Sequence, residues 1–451
     1  MAEKSKYFNL VPFSFVSSVL YYIINYMEKI DIYMDEQFHL DQTLSYYKND
    51  FKKWNHNLTT FPGSFILSSY LLKLFSHFKI QNEFHPIKIV RLFPILISSI
   101  SFILLGFFQK KMNIDNRLIK KMQLLICFLP INFFYNFLYY TETFSIRSLI
   151  IYFYLNLYVS KIYILTFISG ILCISMRQNN IIWVNLLPLN ETIFIIQNFY
   201  NSRSIKALFK EIYSLLIKNL DILIIDIFFI YFFIKNDFSI VLGDKSHHNI
   251  AFHLAQINHL LIFSLLFFPA FNLKVLGNLS KVLNNRKKTA RFVLLFLAVM
   301  AFVFFCNRFS YVHDFIISDN RHYIFYYFKK IYLKDNLRNA LLIYVSLVYS
   351  IIINDNIKIL KDNRIISWFI CSILCLAPSK LVEMRYFAPC YIILIILVKY
   401  NKESFVDLFQ NIFSWWNISA HLVINVVTFF IFLFKPFQNK FMNYEISRFM
   451  Y

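Results

Sequence analysis

KVLGNLSKVLNNRKKTARFVLLFLAVMAFVFFCNRF, residues 274–309, decides the fold. Its first half carries Lys274, Lys281, Arg286, Lys287, Lys288 and Arg291 with no acid. From Phe292 to Cys306 every side chain is apolar. An apolar run approaching the ~20 residues that cross a bilayer, flush against a basic stretch, reads as a membrane helix with its cytosolic flank. Working outward, comparable runs fall at about 8–26, 89–109, 122–140, 219–235, 251–271, 384–399 and 420–436. Residues 147–197 read as three short spans, and 339–354 and 365–379 add two more.

The composition agrees. Of 451 residues, 58 % are hydrophobic, 20 % aromatic and only 16 % charged. Soluble domains carry about 25 % charge, so a water-soluble enzyme is excluded, and the wealth of apolar side chains excludes a disordered chain. The expected fold class is therefore an all-α polytopic membrane protein with about eleven to thirteen spans, forming one membrane domain over 1–451. The first run lacks a small-residue cleavage signal and reads as an anchor. The net charge of +21 sorts into loops: 110–121, 203–218 and 274–291 are strongly basic and are expected in the cytosol. The charge is thus a topology signal, with no nucleic-acid partner implied. Loops 28–60, 236–250 and 311–322 hold acids, histidines and mixed pairs, and are expected on the opposite side. That alternation closes if 62–79 and 323–333 are re-entrant or surface-lying, as is tolerated where backbone lines a cavity. The first loop, 28–80, thus carries membrane-surface segments. The six cysteines show no metal or disulfide spacing.

With polar groups so scarce, their concentrations are informative. The first reads Tyr33-Met34-Asp35-Glu36-Gln37-Phe38-His39, then Trp54, then Leu58-Thr59-Thr60-Phe61-Pro62-Gly63. A carboxylate at the lip of a membrane cavity is suited to deprotonating a hydroxyl. The second is Val241-Leu242-Gly243-Asp244-Lys245-Ser246-His247-His248, where a Lys with two histidines can face an anion. A metal reading of Asp244, His247 and His248 is weak because adjacent histidines point different ways. The third runs from Tyr311 to Tyr323 and includes Ser318-Asp319-Asn320-Arg321-His322. The fourth is Lys380-Leu381-Val382-Glu383-Met384-Arg385-Tyr386. Arg177 stands similarly between two apolar runs. Each basic group also admits a plain reading as an interfacial anchor or structural ion pair, but ionisable residues at such depths are functional by default. Arginine fits phosphate bidentately. A carboxylate for a hydroxyl nucleophile and cations for a phosphate leaving group together suit a polyprenyl-phosphate sugar.

These same residues, with Phe137-Leu138-Tyr139-Tyr140-Thr141-Glu142 and Arg177-Gln178-Asn179-Asn180-Ile181-Ile182-Trp183-Val184, carry a resemblance. The chain resembles the family of dolichyl-phosphate-glucose-dependent alpha-1,2-glucosyltransferases of the endoplasmic reticulum. The motifs keep their order from about residue 8 to 436. Departures are mild: Asn179 stands where relatives usually show Thr, and Gln37 where a hydrophobic residue is common.

The resemblance implies a multispanning inverting transferase of the GT-C type, in the endoplasmic reticulum membrane, with a lumenal site. It implies dolichyl phosphate glucose as donor and Glc2Man9GlcNAc2-diphosphodolichol as acceptor within membrane lipid. On this reading Asp35 is the expected base, with Glu36 as runner-up or as orienter of Asp35 or His39. Arg385, Arg177, Arg321 and Lys245 are the expected phosphate contacts, in that order. His247 and His322 are expected at phosphate or sugar hydroxyls, His39 beside the base, and Trp54 as a stacking floor for a sugar. No metal and no cofactor is expected. The alternatives are a related dolichyl-phosphate-sugar transferase of the same pathway, or a lipid flippase or secondary transporter. Against transport, only Gly106 and Gly170 interrupt spans, and the polar motifs sit at span ends on one side.

Overall fold

The computed structural model describes residues 27, 29–77, 86–111, 116–158, 162–245, 250–284, 286–399, 412–439 and 445–451. The apolar run 8–26 and His247 lie outside the described residues. Regular structure among the described residues is helical, apart from an antiparallel ribbon of Phe437–Asn439 with Glu445–Ser447. The chain divides into two compact units that interleave along the sequence. The first takes 1–127, 132–188 and 195–249; the second takes 128–131, 189–194 and 250–451.

Among the described residues, four helices are long and apolar enough to cross a membrane: Pro86–Leu104 within Pro86–Lys111, Arg286–Arg308, Asp335–Asp355 and Trp415–Phe434. A fifth crossing exists if Ala255–Phe267 and Ala270–Ser280 count as one broken span; they meet at 83°. Phe268 and Pro269 separate them, and proline both lacks the N–H the ladder needs and pushes the preceding residue out of helical geometry. Shorter apolar helices occur at Tyr163–Met176, Asn363–Leu376 and Met384–Leu397. The chain is thus a multi-pass membrane protein whose spans are often broken. The run expected as one span at 122–140 is not one: a helix ends at Phe128, another runs Pro130–Tyr135, and a buried turn follows to Tyr140. Hydropathy registers the apolar character of that stretch but not its breaks at Pro130 and Asn136.

In the first unit, helix Thr141–Tyr158 packs on Tyr163–Met176 and on Pro86–Lys111, while Gly63–His77 packs on Glu36–Tyr47. At 15 residues, Gly63–His77 is about 22 Å long, short of the ~30 Å hydrocarbon core. Leu40, Leu72, Ile89, Val90, Phe93, Tyr139, Phe144 and Met176 form a shared core among these helices. Gly63 lets the helix start against its neighbour, since a β-carbon there would lie 2.5 Å from the Ser175 carbonyl oxygen. In the second unit Arg286–Arg308 lies along Asp335–Asp355 and turns Leu294, Leu297 and Phe305 outward. That apolar exterior suits lipid.

One buried ion pair organises the start of the first unit. Arg91, in the first turns of helix Pro86–Lys111, donates through Nε and Nη2 to both Glu36 oxygens, at 2.9 and 2.6 Å. Its remaining N–H groups reach the carbonyls of Met27, Ile30 and Asp31 at 3.0, 2.7 and 2.9 Å. The Glu36 carboxylate also accepts the backbone N–H of Tyr33 at 3.0 Å and of Tyr139 at 2.8 Å. All five guanidinium donors are used, and the buried charges are both paired and hydrogen-bonded, which is the condition for carrying them out of water. Replacing Arg91 with Leu is expected to cost about 3–5 kcal/mol because it strands a buried carboxylate. The double replacement with Glu36→Leu is expected to recover much of that loss. Thermal melts in detergent check this; equal melting temperatures for R91L and wild type would refute it.

A glycine fixes the second loop of this unit. Gly243 has φ +60°, and a β-carbon there would sit 2.3 Å from the His56 carbonyl oxygen and 2.4 Å from that of Leu58. Next to it, the Leu242 N–H donates to Thr59 O at 3.1 Å. Backbone cannot step aside as a flexible side chain can, so Gly243→Ala is expected to cost at least about 1–3 kcal/mol and to release the loop. Proteolytic cleavage between 237 and 245 in the variant, absent from wild type, is the expected result.

Candidate active site

Asp35 stands where the chain turns. Met34 adopts φ 52°, a left-handed conformation unfavourable for a residue of its size, and Asp35 then occupies the N-cap position of helix Glu36–Tyr47. The Tyr33 N–H on Glu36 holds one side of the turn, and the Asp35 N–H donates to the Tyr140 hydroxyl at 3.2 Å on the other. The two neighbouring carboxylates therefore differ in kind. Asp35 is half-buried and reachable, while Glu36 is fully buried with its oxygens occupied by Arg91, Tyr33 and Tyr139. Glu36 orients the backbone around Asp35.

His39 follows one turn later. Its Nδ1 lies 2.8 Å from Tyr139 O; a carbonyl only accepts, so Nδ1 carries the proton and the neutral ring keeps its lone pair on Nε2. The ring packs on Phe65 and meets Tyr140 edge-on, with centroids 5.4 and 5.3 Å apart. Trp54 lies against Phe65 at 6.4 Å in a cluster with Tyr46 and Leu58. Buried Trp54 Nε1, Thr60 Oγ1 and Ser64 Oγ make no hydrogen bond in the protein, and each suits a hydroxyl partner.

Arg177, just past helix Tyr163–Met176, bonds Glu142 Oε1 at 3.0 Å. Its neighbour Gln178 grips the first loop, donating from Nε2 to Thr59 O at 2.7 Å and accepting the Phe61 N–H at 3.3 Å. Lys245 reaches Asn236 O at 3.1 Å and Asp237 Oδ2 at 3.3 Å. Five stretches far apart in sequence are thereby tied into one unit: Tyr33–His39, Thr59–Gly63, Tyr139–Glu142, Arg177–Gln178 and Val241–Lys245. The contacts run from Asp35 and Glu36 to Tyr139 and Tyr140, and from Thr59 to Gln178 and Leu242.

The second unit holds Arg321, His322 and Arg385. Arg321 is bidentate to Asp319, at 2.8 and 2.7 Å, and His322 Nε2 lies 3.7 Å from the same carboxylate. Burial pulls the Asp319 carboxyl upward, but the Arg321 hydrogen bonds and the charges of His322 and Arg321 outweigh it and hold its pKa below the usual value. His322 Nδ1 also meets Tyr451 O at 2.8 Å, and residues 321–323 bond the backbone of Met450. Arg385 pairs with Glu383 and lies over the Tyr386 ring, in the turn Met384–Phe387 that opens helix Ala388–Lys399. Arg177, Arg321, Arg385 and Lys245 each have a carboxylate partner, so a phosphate must share or displace it.

Sequence reasoning missed Arg91 and Arg147. Arg147, buried in helix Thr141–Tyr158, donates to Ser98 Oγ at 3.1 Å and to the side-chain oxygens of Asn132 and Asn136 at 3.3 and 3.4 Å. The available signal was an arginine inside a run otherwise apolar, which is costly unless satisfied. Asn417, the first residue of the glycosylation sequon Asn417-Ile418-Ser419, is spent on packing: it accepts the Ala270 N–H and donates to Ile412 O, both at 2.9 Å.

Similarity to known proteins runs through both units. Over 93 % of both chains, this one is 28 % identical to a human Dol-P-Glc:Glc(2)Man(9)GlcNAc(2)-PP-Dol alpha-1,2-glucosyltransferase. It is 23 % identical over 96 % of both chains to the Drosophila melanogaster protein of that name. The Candida glabrata protein of the same name is 28 % identical over 80 % of this chain and 74 % of its own. No solved structure matches. The family shared by such proteins is matched from residue 29 to 396, from the loop bearing Asp35 to the helix after Arg385: the chain belongs to the DIE2/ALG10 family.

Proposed function

We propose that this protein transfers glucose from dolichyl phosphate glucose to the 2-hydroxyl of the terminal glucose on Glc2Man9GlcNAc2-diphosphodolichol, forming an alpha-1,2 linkage. The observation that carries the reading is the linkage of five separated motifs, one of them bearing the half-buried Asp35, within a single unit of a chain whose family match spans residues 29–396. The relatives' names supply the substrates. The reaction is proposed to take place at the lumenal face of the endoplasmic reticulum membrane, consistent with the basic loops facing the cytosol.

The proposed chemistry is a single in-line displacement. The acceptor hydroxyl oxygen attacks the anomeric carbon of a beta-linked glucosyl phosphate, the carbon–oxygen bond to phosphate breaks, and configuration inverts. Asp35 takes the hydroxyl proton, as a single carboxylate base does in inverting sugar chemistry. The bonding pair leaves with dolichyl phosphate, whose charge is stabilised by arginine and lysine. Arg177 and Lys245 are the nominated cations of the first unit, and Arg385 and Arg321 those of the second. Trp54 offers an aromatic face to a sugar ring, and His39 holds the Tyr139–Tyr140 wall behind the base.

The test is incubation of purified protein with dolichyl phosphate glucose and the di-glucosylated acceptor. One added hexose, removable by an alpha-1,2-specific glucosidase, is expected; no addition sinks the reading. Asp35→Asn is expected to lower turnover by about 10²–10⁴-fold, the range of a lost general base, with an unchanged melting temperature. Glu36→Gln is expected to lower stability first. A D35N enzyme of normal turnover would reassign the base.

A further inference from the structure

Helix Ile205–Lys218, in the first unit, takes no part in the proposed transfer chemistry, and none of its residues is buried. At the helical repeat of about 3.6 residues, Ile205, Leu208, Phe209, Ile212, Leu215 and Leu216 fall along one side. Lys206, Lys210, Ser214 and Lys218 fall on the other. The apolar stripe is turned out of the protein: Ile205, Phe209 and Leu216, with Tyr213 at the stripe's edge, are 64, 69, 45 and 67 % exposed. Such a stripe calls for a covering. The helix itself is too short to cross a bilayer, since its 14 residues span about 21 Å against a hydrocarbon core of ~30 Å.

Local geometry separates this helix from its neighbours. Arg203 ends the preceding helix in a left-handed conformation, φ 49°. Ser204 Oγ then accepts the Ala207 N–H at 3.3 Å and starts the new one. At the other end Asn219, with φ −116° and ψ 28°, leaves helical geometry. Helix Leu220–Lys235, of 16 residues, then carries the chain about 24 Å to the loop where Leu242 bonds Thr59. Helix Tyr163–Met176 runs the same way, with Thr166 bonding Asp221 at the near end and Gln178 bonding Thr59 past the far end. Ile205–Lys218 thus joins the unit at the end remote from the Thr59 stretch.

The charges on this segment name what covers it. Arg203, Lys206 and Lys210 are exposed and form no ion pair with a described residue. Lys206 and Lys210 stand one turn apart on the same side, where like charges repel. Glu211, the helix's one acid, is partly buried and lies away from them. A cationic flank beside an open apolar stripe matches an anionic headgroup beside its acyl chains. Lysine stems can run along apolar surface while the ammonium stays at phosphate level.

We propose that Ile205–Lys218 lies in the plane of the membrane surface remote from the Thr59 stretch, with its apolar stripe among the acyl chains. There Arg203, Lys206 and Lys210 hold the headgroups of anionic phospholipids. The proposal requires only a chain embedded in a bilayer and is independent of the transfer reaction.

The test uses the full chain in lipid nanodiscs. Phe209→Trp adds one indole to the five native tryptophans, so the difference in emission from wild type reports this position. Brominated acyl chains quench an indole that touches them. Bilayers of phosphatidylcholine with roughly one lipid in three phosphatidylserine are made twice, with bromine on one lipid or on the other. The added indole is expected to be quenched in both. Quenching is expected to give phosphatidylserine a relative affinity about threefold or more above phosphatidylcholine. That preference is expected to fall to about one when Lys206→Gln and Lys210→Gln are added. It is also expected to fall in the unaltered lysine background at about 0.5 M salt, where surface charges are screened. An added indole that neither lipid quenches would overturn the proposal, because protein, such as a second copy of the chain, would then cover the stripe. Equal affinity for the two lipids with both lysines present, or a preference that survives both salt and the lysine substitutions, would overturn headgroup binding.

Discussion

The Arg91–Glu36 pair is the constraint on which the first unit depends. It joins helix Pro86–Lys111 to helix Glu36–Tyr47, to the backbone of residues 27–33 and, through the Tyr139 N–H, to the buried turn before Thr141. Three separate pieces of chain thus converge on one guanidinium and one carboxylate. A pair of this kind contributes little net stability compared with an apolar replacement, so its value lies in uniqueness of arrangement. The pairing uses all five guanidinium donors and gives the carboxylate four accepted hydrogen bonds. The strained turn at Met34 persists because these bonds over-determine it.

Much of this architecture was legible from composition and charge. Runs such as 292–306 and 339–354 appear as helices because uninterrupted apolar residues leave the backbone no better way to satisfy itself in lipid. What hydropathy could not give was continuity. Pro130, Pro269 and the buried turn at Asn136–Tyr140 break runs whose side chains remain apolar, and a sliding sum over side chains does not register a missing backbone donor. The motif stretches of the first unit were all visible as polar concentrations. Their convergence was not, because the bonds that gather them run largely through backbone, as with Gln178 to Thr59 O and Leu242 N–H to Thr59 O. Buried arginines such as Arg91 and Arg147 escaped for a related reason. Charge is common in loops, whereas inside an apolar helix a single charge is costly and carries more information.

The nominated cations share one electrostatic design. Arg177 with Glu142, Arg321 with Asp319, Arg385 with Glu383 and Lys245 with Asp237 each have a nearby carboxylate. An arginine held this way is oriented before a ligand arrives and pays less side-chain entropy on binding. The cost is competition, since an entering phosphate must share the guanidinium or displace the acid. Lys245 is the most adaptable of the four, because its partner Asp237 is largely solvent-exposed and the pair is correspondingly weak.

Adjacent carboxylates with separate jobs make Asp35 and Glu36 interdependent. A base of the kind proposed for Asp35 must be held within a fraction of an ångström of the proton it takes, yet Asp35 sits in a turn whose local backbone preference opposes it. Glu36 supplies the missing rigidity by accepting the Tyr33 and Tyr139 N–H groups on either side of the turn, while Arg91 holds it in place. Exchanging the two residues would therefore fail twice. A shorter carboxylate at position 36 would fall short of Arg91, and a longer one at position 35 would displace the carboxylate proposed to act as base. The order Asp-Glu, read as a simple acidic pair in the sequence, is in the folded chain a reachable carboxylate followed by the anchor that positions it.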